Sequence, residues 1–354
     1  MLGLNMNRSN QKCLDDKPLC QVNIDGYVQE VDWTKDAATL VATSAEGEIS
    51  LFNIQEGKKT WSQFGHTLGN SSCAINKNGS LVLSCGQDKR LLIMNGTDGA
   101  ILTELQLPAW GEQVRFSFDE EKIAIASGKY LGILNTFVLD KLEDSSLRLL
   151  GPHESTVTSL AFSPLQSHKV ATTAYGAVTI WDLKQLQPRK LKWQGSSLVS
   201  AWSPDGKFIA TGDQDSTVHF WFADSGKDLQ MYGFETKVLQ LSWDPTGRFL
   251  ATGGGRNPCI WDCTGKRGPE NSRPIELEFH GTPISTLTFA NKSQLLIVGD
   301  DEGWISCWSL SSPRRPIQTF QLPSSVSSLK FSPDDTLLSI GLGNGDLFMF
   351  PVVG

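Results

Sequence analysis

Three histidines, His66, His153 and His280, each stand 28 residues before Met94, Trp181 and Trp308. An imidazole at a recurring position can act as base, metal ligand or hydrogen-bond bridge, and at the entry to a repeated turn the bridge is the simpler role. Cys259 and Cys263, in the run CIWDC, form with His280 the set that most resembles a metal site. On an extended strand residues four apart are separated by about 13 Å, at ~3.3 Å per residue. One ion could join them only if the chain bends at Asp262, and small buried hydrophobes are the plainer reading. The glycines at 253–255 could cradle a phosphate only if a helix followed them, and the sequence after them is strand-like. Gly-x-Ser-x-Gly, phosphate-loop and His-Glu-x-x-His motifs are absent from the chain.

The elements that must carry these residues are short strands. Residues 200–221, SAWSPDGKFIATGDQDSTVHFW, read as three β-runs joined by two tight turns. The residue closing the third run recurs at Phe52, Met94, Phe137, Trp181, Trp221, Trp261, Trp308 and Phe350, at intervals of 42, 43, 44, 40, 40, 47 and 42. The residue ending the first run recurs at Trp33, Ile75, Phe116, Phe162, Trp202, Trp243, Phe289 and Phe331. Two markers holding register over most of the chain define eight units of propeller-blade length. Fourth strands fall between them, at Thr60 to Phe64, Ile101 to Leu107, Leu147 to Leu150, Lys190 to Trp193, Leu229 to Tyr232, Ile275 to Phe279 and Ile317 to Leu322. The longest interval holds a Gly- and Pro-containing loop at residues 264–274.

On these residues the chain resembles a WD-repeat β-propeller. Trp181-Asp182 and Trp261-Asp262 are Trp-Asp pairs, and Ser163-Pro164, Ser203-Pro204, Asp244-Pro245 and Ser332-Pro333 follow the first strands. The resemblance implies a hydrogen-bonded set of His, Ser or Thr, Asp and Trp in each blade. No unit shows all four: the unit of His66 closes on Met94, that of His153 lacks the Asp, and Glu302 stands at the Asp position after His280. Asp88 and Asp215 hold that position in units lacking the Trp and the His respectively.

The expected fold is therefore all-β, a single propeller of four-stranded blades, with eight blades favoured over seven. Residues 18–24, PLCQVNI, alternate as a half-buried strand, and only four residues follow Phe350. The N-terminal strand is thus expected to complete the last blade and close the ring. Residues 1–17 read as a mobile tail before a propeller spanning 18–354. The chain has 31 basic and 38 acidic residues, a net charge of -7, which argues against general binding to nucleic acid or anionic membrane. Seven scattered cysteines without disulfide spacing, and the lack of a long apolar stretch, favour a reduced, cytoplasmic protein with no membrane insertion.

Nine of the eleven tryptophans are explained by the repeat; Trp110 and Trp304 are not. Both fall on the rim formed by the loops between units and the turns joining second to third strands. Tyr130, Tyr175, Asp213, Gln214, Arg256, Asn257, Asp300 and Asp301 belong to the same rim. Aromatics and arginine are enriched at binding hot spots. The expected function is a non-enzymatic scaffold without cofactor, binding a protein or peptide there, alone or as a subunit of a larger complex. The alternatives are a metal- or thiol-dependent role at Cys259, Cys263 and His280, and a hydrolase or isomerase using the central channel. The latter needs converging carboxylates or histidines on the innermost strands, which read as mostly apolar.

Overall fold

The computed structural model describes residues 12–137, 146–185, 187–265 and 267–353. Several units share the same local chemistry at the turn after the first strand. In the Ser-Pro-Asp-Gly turn the Ser203 hydroxyl donates to Asp205 at 2.7 Å and accepts the Phe208 N–H at 3.0 Å, while Gly206 takes φ +67°. Ser332 repeats this with Asp334 and the Leu337 N–H. These small hydrogen-bonded turns reverse the chain between first and second strands, and the β-branched and aromatic runs between turns pair antiparallel.

Seven hydrogen-bonded sheets result, six of four strands and one of six. The eight separate sheets favoured by the repeat are thus seven. The difference arises in the fourth and fifth units, where two strands run on unbroken, Lys169–Asp182 and Gln187–Trp202. The first of these turns back on itself at Gly176, φ +89°, so that the Thr172 hydroxyl faces the Thr179 carbonyl. The second pairs through Gln187 to Ser196 with the strand before it and through Ser197 to Trp202 with the strand after it. The strand Cys20–Asn23 pairs antiparallel with Asp346–Pro351, with Cys20 opposite Met349.

The core lies between sheets. Leu296, Val298 and Trp308 of one unit pack on Ala251 and Ile260 of the preceding one, and similar clusters recur at other junctions. Trp221, Trp308, Phe52 and Phe350 are among the largest fully buried side chains, and Met94, Trp181 and Trp261 are buried too. Phe137 is the exception, being 77% exposed. In the ladder Phe116 opposes Ile123, which opposes Leu134, so Leu134 closes the third unit, and it is fully buried.

Residues 1–11 of the expected tail lie outside the described residues. Cys13 and Leu14, also assigned to it, are buried: the Gln318 carboxamide accepts both their N–H groups at 3.0 and 2.9 Å and donates to the Leu14 carbonyl at 3.0 Å. Leu14 also bridges to Val352. The fourth strand expected at Ile275 to Phe279 is confined to Ile275–Glu276, because Leu277 turns inward and donates to the Pro258 carbonyl. No helix among the described residues is long and apolar enough to cross a membrane.

Candidate functional site

The rim is shaped by turns in which the residue five before the closing position takes a left-handed backbone. Gly47, Gly176, Gly303 and Gly345 fill that position in four units. Of the expected rim residues, Trp110 is 53% exposed and Tyr175 51%, while Gln214, Arg256 and Asp301 are exposed and Tyr130, Asn257 and Trp304 half-buried. Arg256 faces Glu235 at 3.5 Å across the neighbouring loop. Trp304 lies edge-on to Phe279, with ring centroids 5.8 Å apart. Asp213 and Asp300 are fully buried, so neither can present a carboxylate to a partner, and both belong to the framework below the rim. Tyr27, 40% exposed, also lies on this rim beside Asp301, and burial together with that carboxylate raises its pKa. Sequence alone does not single it out, because it lies in a loop ahead of every repeat marker, the first of which is Trp33.

Under the rim, each of the three equally spaced histidines makes two bonds, His66 and His280 within their own units and His153 between the third unit and the fourth. His280 Nδ1 meets Asp300 at 2.8 Å, Nε2 meets the Ser306 hydroxyl at 2.7 Å, and the Trp308 indole N–H donates to the same hydroxyl at 2.8 Å. The seventh unit therefore holds a complete set of four after all. It uses Asp300, two residues before Glu302, and a serine on the third strand. His66 joins Asp88 at 2.8 Å and Ser84 at 3.0 Å without a tryptophan. His153 joins the Lys129 carbonyl and Thr172, and Trp181 donates to that threonine. Burial lowers the pKa of His66 and His153, favouring neutral rings that suit such bridging.

The inner strands differ from the expectation of mostly apolar residues. Arg115 grips Glu30 with two contacts, at 2.6 and 3.2 Å, reaching across the second unit from the third to the first. Lys330 pairs with Asp32 at 2.7 Å, between the last unit and the first. These carboxylates also accept neighbouring backbone N–H groups, Cys73 on Glu30 and Ile75 on Asp32. The same latch continues with Val114 N–H to Ser72, Leu160 N–H to Gln113 and Ser200 N–H to Ser159. It is interrupted after the fifth unit, where Val199 occupies the polar position, and resumes with Phe289 N–H to Ser242. Indoles complete the circuit: Trp202 donates to the Ala161 carbonyl, Trp243 to Ala201 and Trp33 to Lys330. The charges are mutually satisfied, which makes them fasteners between units rather than a free acid and base.

The proposed metal set does not assemble. Both His280 nitrogens are engaged within their own unit, and the Cys259 and Cys263 thiols face the Asn257 and Trp261 carbonyls. Burial raises both thiol pKa values, that of Cys259 to about 12. Among the described residues no group of three His, Cys, Asp or Glu is placed to hold an ion.

Similarity to known proteins agrees with this geometry. The chain is 20% identical over 298 residues to eukaryotic translation initiation factor 3 subunit I of Schizosaccharomyces pombe, covering 78% of this chain and 91% of that protein. It is 24% identical over 228 residues to a guanine nucleotide-binding protein subunit beta of Oryza sativa subsp. japonica, covering 59% of each. Its fold superposes on the crystal structure of the computationally designed protein Ika8 with a TM-score of 0.77, at 18% identity over 95% of this chain and 99% of that one. The profile described as WD domain, G-beta repeat matches residues 57–95, 144–182, 190–221, 226–262 and 314–350, together more than half of the sequence. The chain therefore belongs to the WD-repeat family.

Proposed function

We propose that the protein is a non-enzymatic scaffold that binds a protein or peptide partner across the rim bearing Trp110. The observation that carries this reading is Trp110 itself, a large aromatic that the repeat does not require and that stands 53% exposed in a loop between units. Tyr175, Gln214, Arg256 and Asp301 extend the same surface, with Tyr130, Asn257 and Trp304 partly covered beside them. A rigid rim with exposed aromatics binds at low entropic cost. The matched relatives are named as subunits, which favours a place for this chain in a larger assembly. Seven free cysteines and the acidic net charge favour a reducing, cytoplasmic setting and a partner other than nucleic acid.

We read the chain as one propeller domain. The shared six-stranded sheet counts as two blade units, eight in all, and the strand at residues 20–23 closes the ring. The hairpin at Gly176 and the indole of Trp33, which reaches the last unit as Trp202 and Trp243 reach their predecessors, support this reading.

Quantitative co-capture from the protein's own cells tests the binding surface. Trp110→Ala should leave the melting temperature within a few degrees and weaken recovery of the co-purifying partner by about 2 kcal/mol, the hot-spot scale. A Trp110→Ala protein that unfolds, or retains its partner at full strength, overturns the reading.

A further inference from the structure

The fifth unit has the seventh unit's polar framework with its central piece missing. Asp213 stands eight residues before Trp221, as Asp300 stands eight before Trp308, and His219 stands two before it, as Ser306 does. At the position of His280, 28 residues before the closing tryptophan, the fifth unit has Trp193. Its indole lies 4.2 Å from the His219 ring and donates to Ser197 at 3.2 Å, so it cannot bridge as an imidazole does. Asp213 Oδ1 and His219 Nε2 are left buried without partners. Such atoms are rare and each signals a constraint.

The turn above them is tense as well. Where the seventh unit uses Gly303, the fifth has Ser216 at φ +61°, a conformation that L-residues adopt at a cost. The Thr217 hydroxyl lies 2.8 Å from Asp215 and 3.4 Å from the second oxygen of Asp213, yet it has one proton to give. If Asp213 carries a proton the conflict disappears: Asp213 donates to Thr217, and Thr217 donates to Asp215.

We propose that the rim turn at residues 213–217 is latched by a proton on Asp213 and opens as that proton is lost, making this sector of the rim responsive to pH between acid and neutral. Burial pushes the Asp213 carboxyl up to about 7; the Asp215 charge adds to this, and the nearby polar groups of Ser197, Thr211 and the His219 backbone offset it only in part. The other titratable groups facing the site are His219, whose pKa burial lowers, and Asp228, 3.0 Å from His219 Nδ1. The sign follows from the raised carboxyl. Latching is complete below the unfolded value of 3.8, weakens as pH rises, and has been lost by about 7. The inference rests on the fold alone, whether or not the rim binds a partner.

Amide hydrogen exchange on the intact chain, corrected for the intrinsic pH dependence of exchange, tests it. The opening constant of amides 214–219 should rise by up to about tenfold per pH unit through this window and level off near neutrality. The matching amides 301–306 of the seventh unit, where His280 partners Asp300, provide the internal reference and should lack the rise. Asp213→Asn keeps the shape without the titration and should flatten the profile. Trp193→His supplies the missing imidazole and should also remove the rise. The buried imidazoles His66, His153 and His219 titrate in an overlapping window with opposite sign, so the decisive quantity is the difference from Asp213→Asn. An unchanged profile in that variant, or a flat one in the wild-type chain, overturns the proposal.

Discussion

The fifth and seventh units share a backbone plan and place an aspartate at the same turn, yet in one it is a framework bond and in the other an orphan. In the seventh, His280 satisfies Asp300 and Ser306 together, and Gly303 relaxes the turn. In the fifth, an indole fills the space of the imidazole, and a serine bears the left-handed backbone. Two things differ: a side chain capable of two hydrogen bonds, and a turn whose Glu302 and Trp304 N–H groups donate to Asp300 Oδ1 while Asp213 Oδ1 accepts none. The comparison teaches that a repeat position has no fixed energetic meaning: its contribution depends on whether the partner in the preceding loop is present.

The most severe way to probe the pair is to remove the closing indoles. Trp308→Ala and Trp221→Ala should each cost ~3 to 5 kcal/mol in chemical denaturation, since both side chains are fully buried. The loss should be greater at 308, where the Ser306 hydroxyl also loses its indole donor. A smaller change makes the seventh unit resemble the fifth. His280→Ala removes the partner of Asp300 Oδ2 and one partner of Ser306, while Asp300 Oδ1 keeps the Glu302 and Trp304 N–H groups, and should cost about 3 kcal/mol, the scale for buried groups left unpaired. It should also give amides 301–306 the pH-dependent opening expected of 214–219, and failure to do so would separate the two sites. The finest probe is Trp→Phe, which keeps most of the ring and deletes the N–H. At 308 it removes a 2.8 Å bond and should cost about 1 kcal/mol beyond the packing loss. At 221 the bond to Thr211 is 3.4 Å long, and the additional cost should be much smaller. Equal penalties would erase the distinction drawn between the units.

Much of this was legible in the residues themselves. First-strand markers fall where the ladders place them, because an apolar residue before a Ser-Pro-Asp turn has one position open to it. The third unit misled, since Phe137 is aromatic and near the right spacing, while the true closing residue, Leu134, is unremarkable in type. Burial selects by register, and three residues further along the chain, past the end of the strand Tyr130–Asn135, the side chain is in solvent. The Asp300 bridge was missed for a related reason: Glu302 occupies the usual place, and only the backbone shows that a carboxylate two residues earlier can reach the imidazole. The charges at Glu30 and Arg115 stayed hidden because their pairing spans 85 residues and skips a unit. The rim was legible in outline from turn positions and surplus aromatics. Which of its side chains reach solvent depends on how neighbouring loops pack, as Trp304 against Phe279 illustrates.

The pairing of Cys20–Asn23 with Asp346–Pro351 also bears on how the molecule is made. During synthesis Cys20–Asn23 emerges with its edge open, and the partner of Asn23 follows 323 residues later. Until then that edge is open to wrong partners, and Cys13 and Leu14 lack the Gln318 carboxamide that clasps them. This pairing is therefore a late event in synthesis. A cell producing this chain has reason to shield residues 13–23 until Asp346–Pro351 has been made.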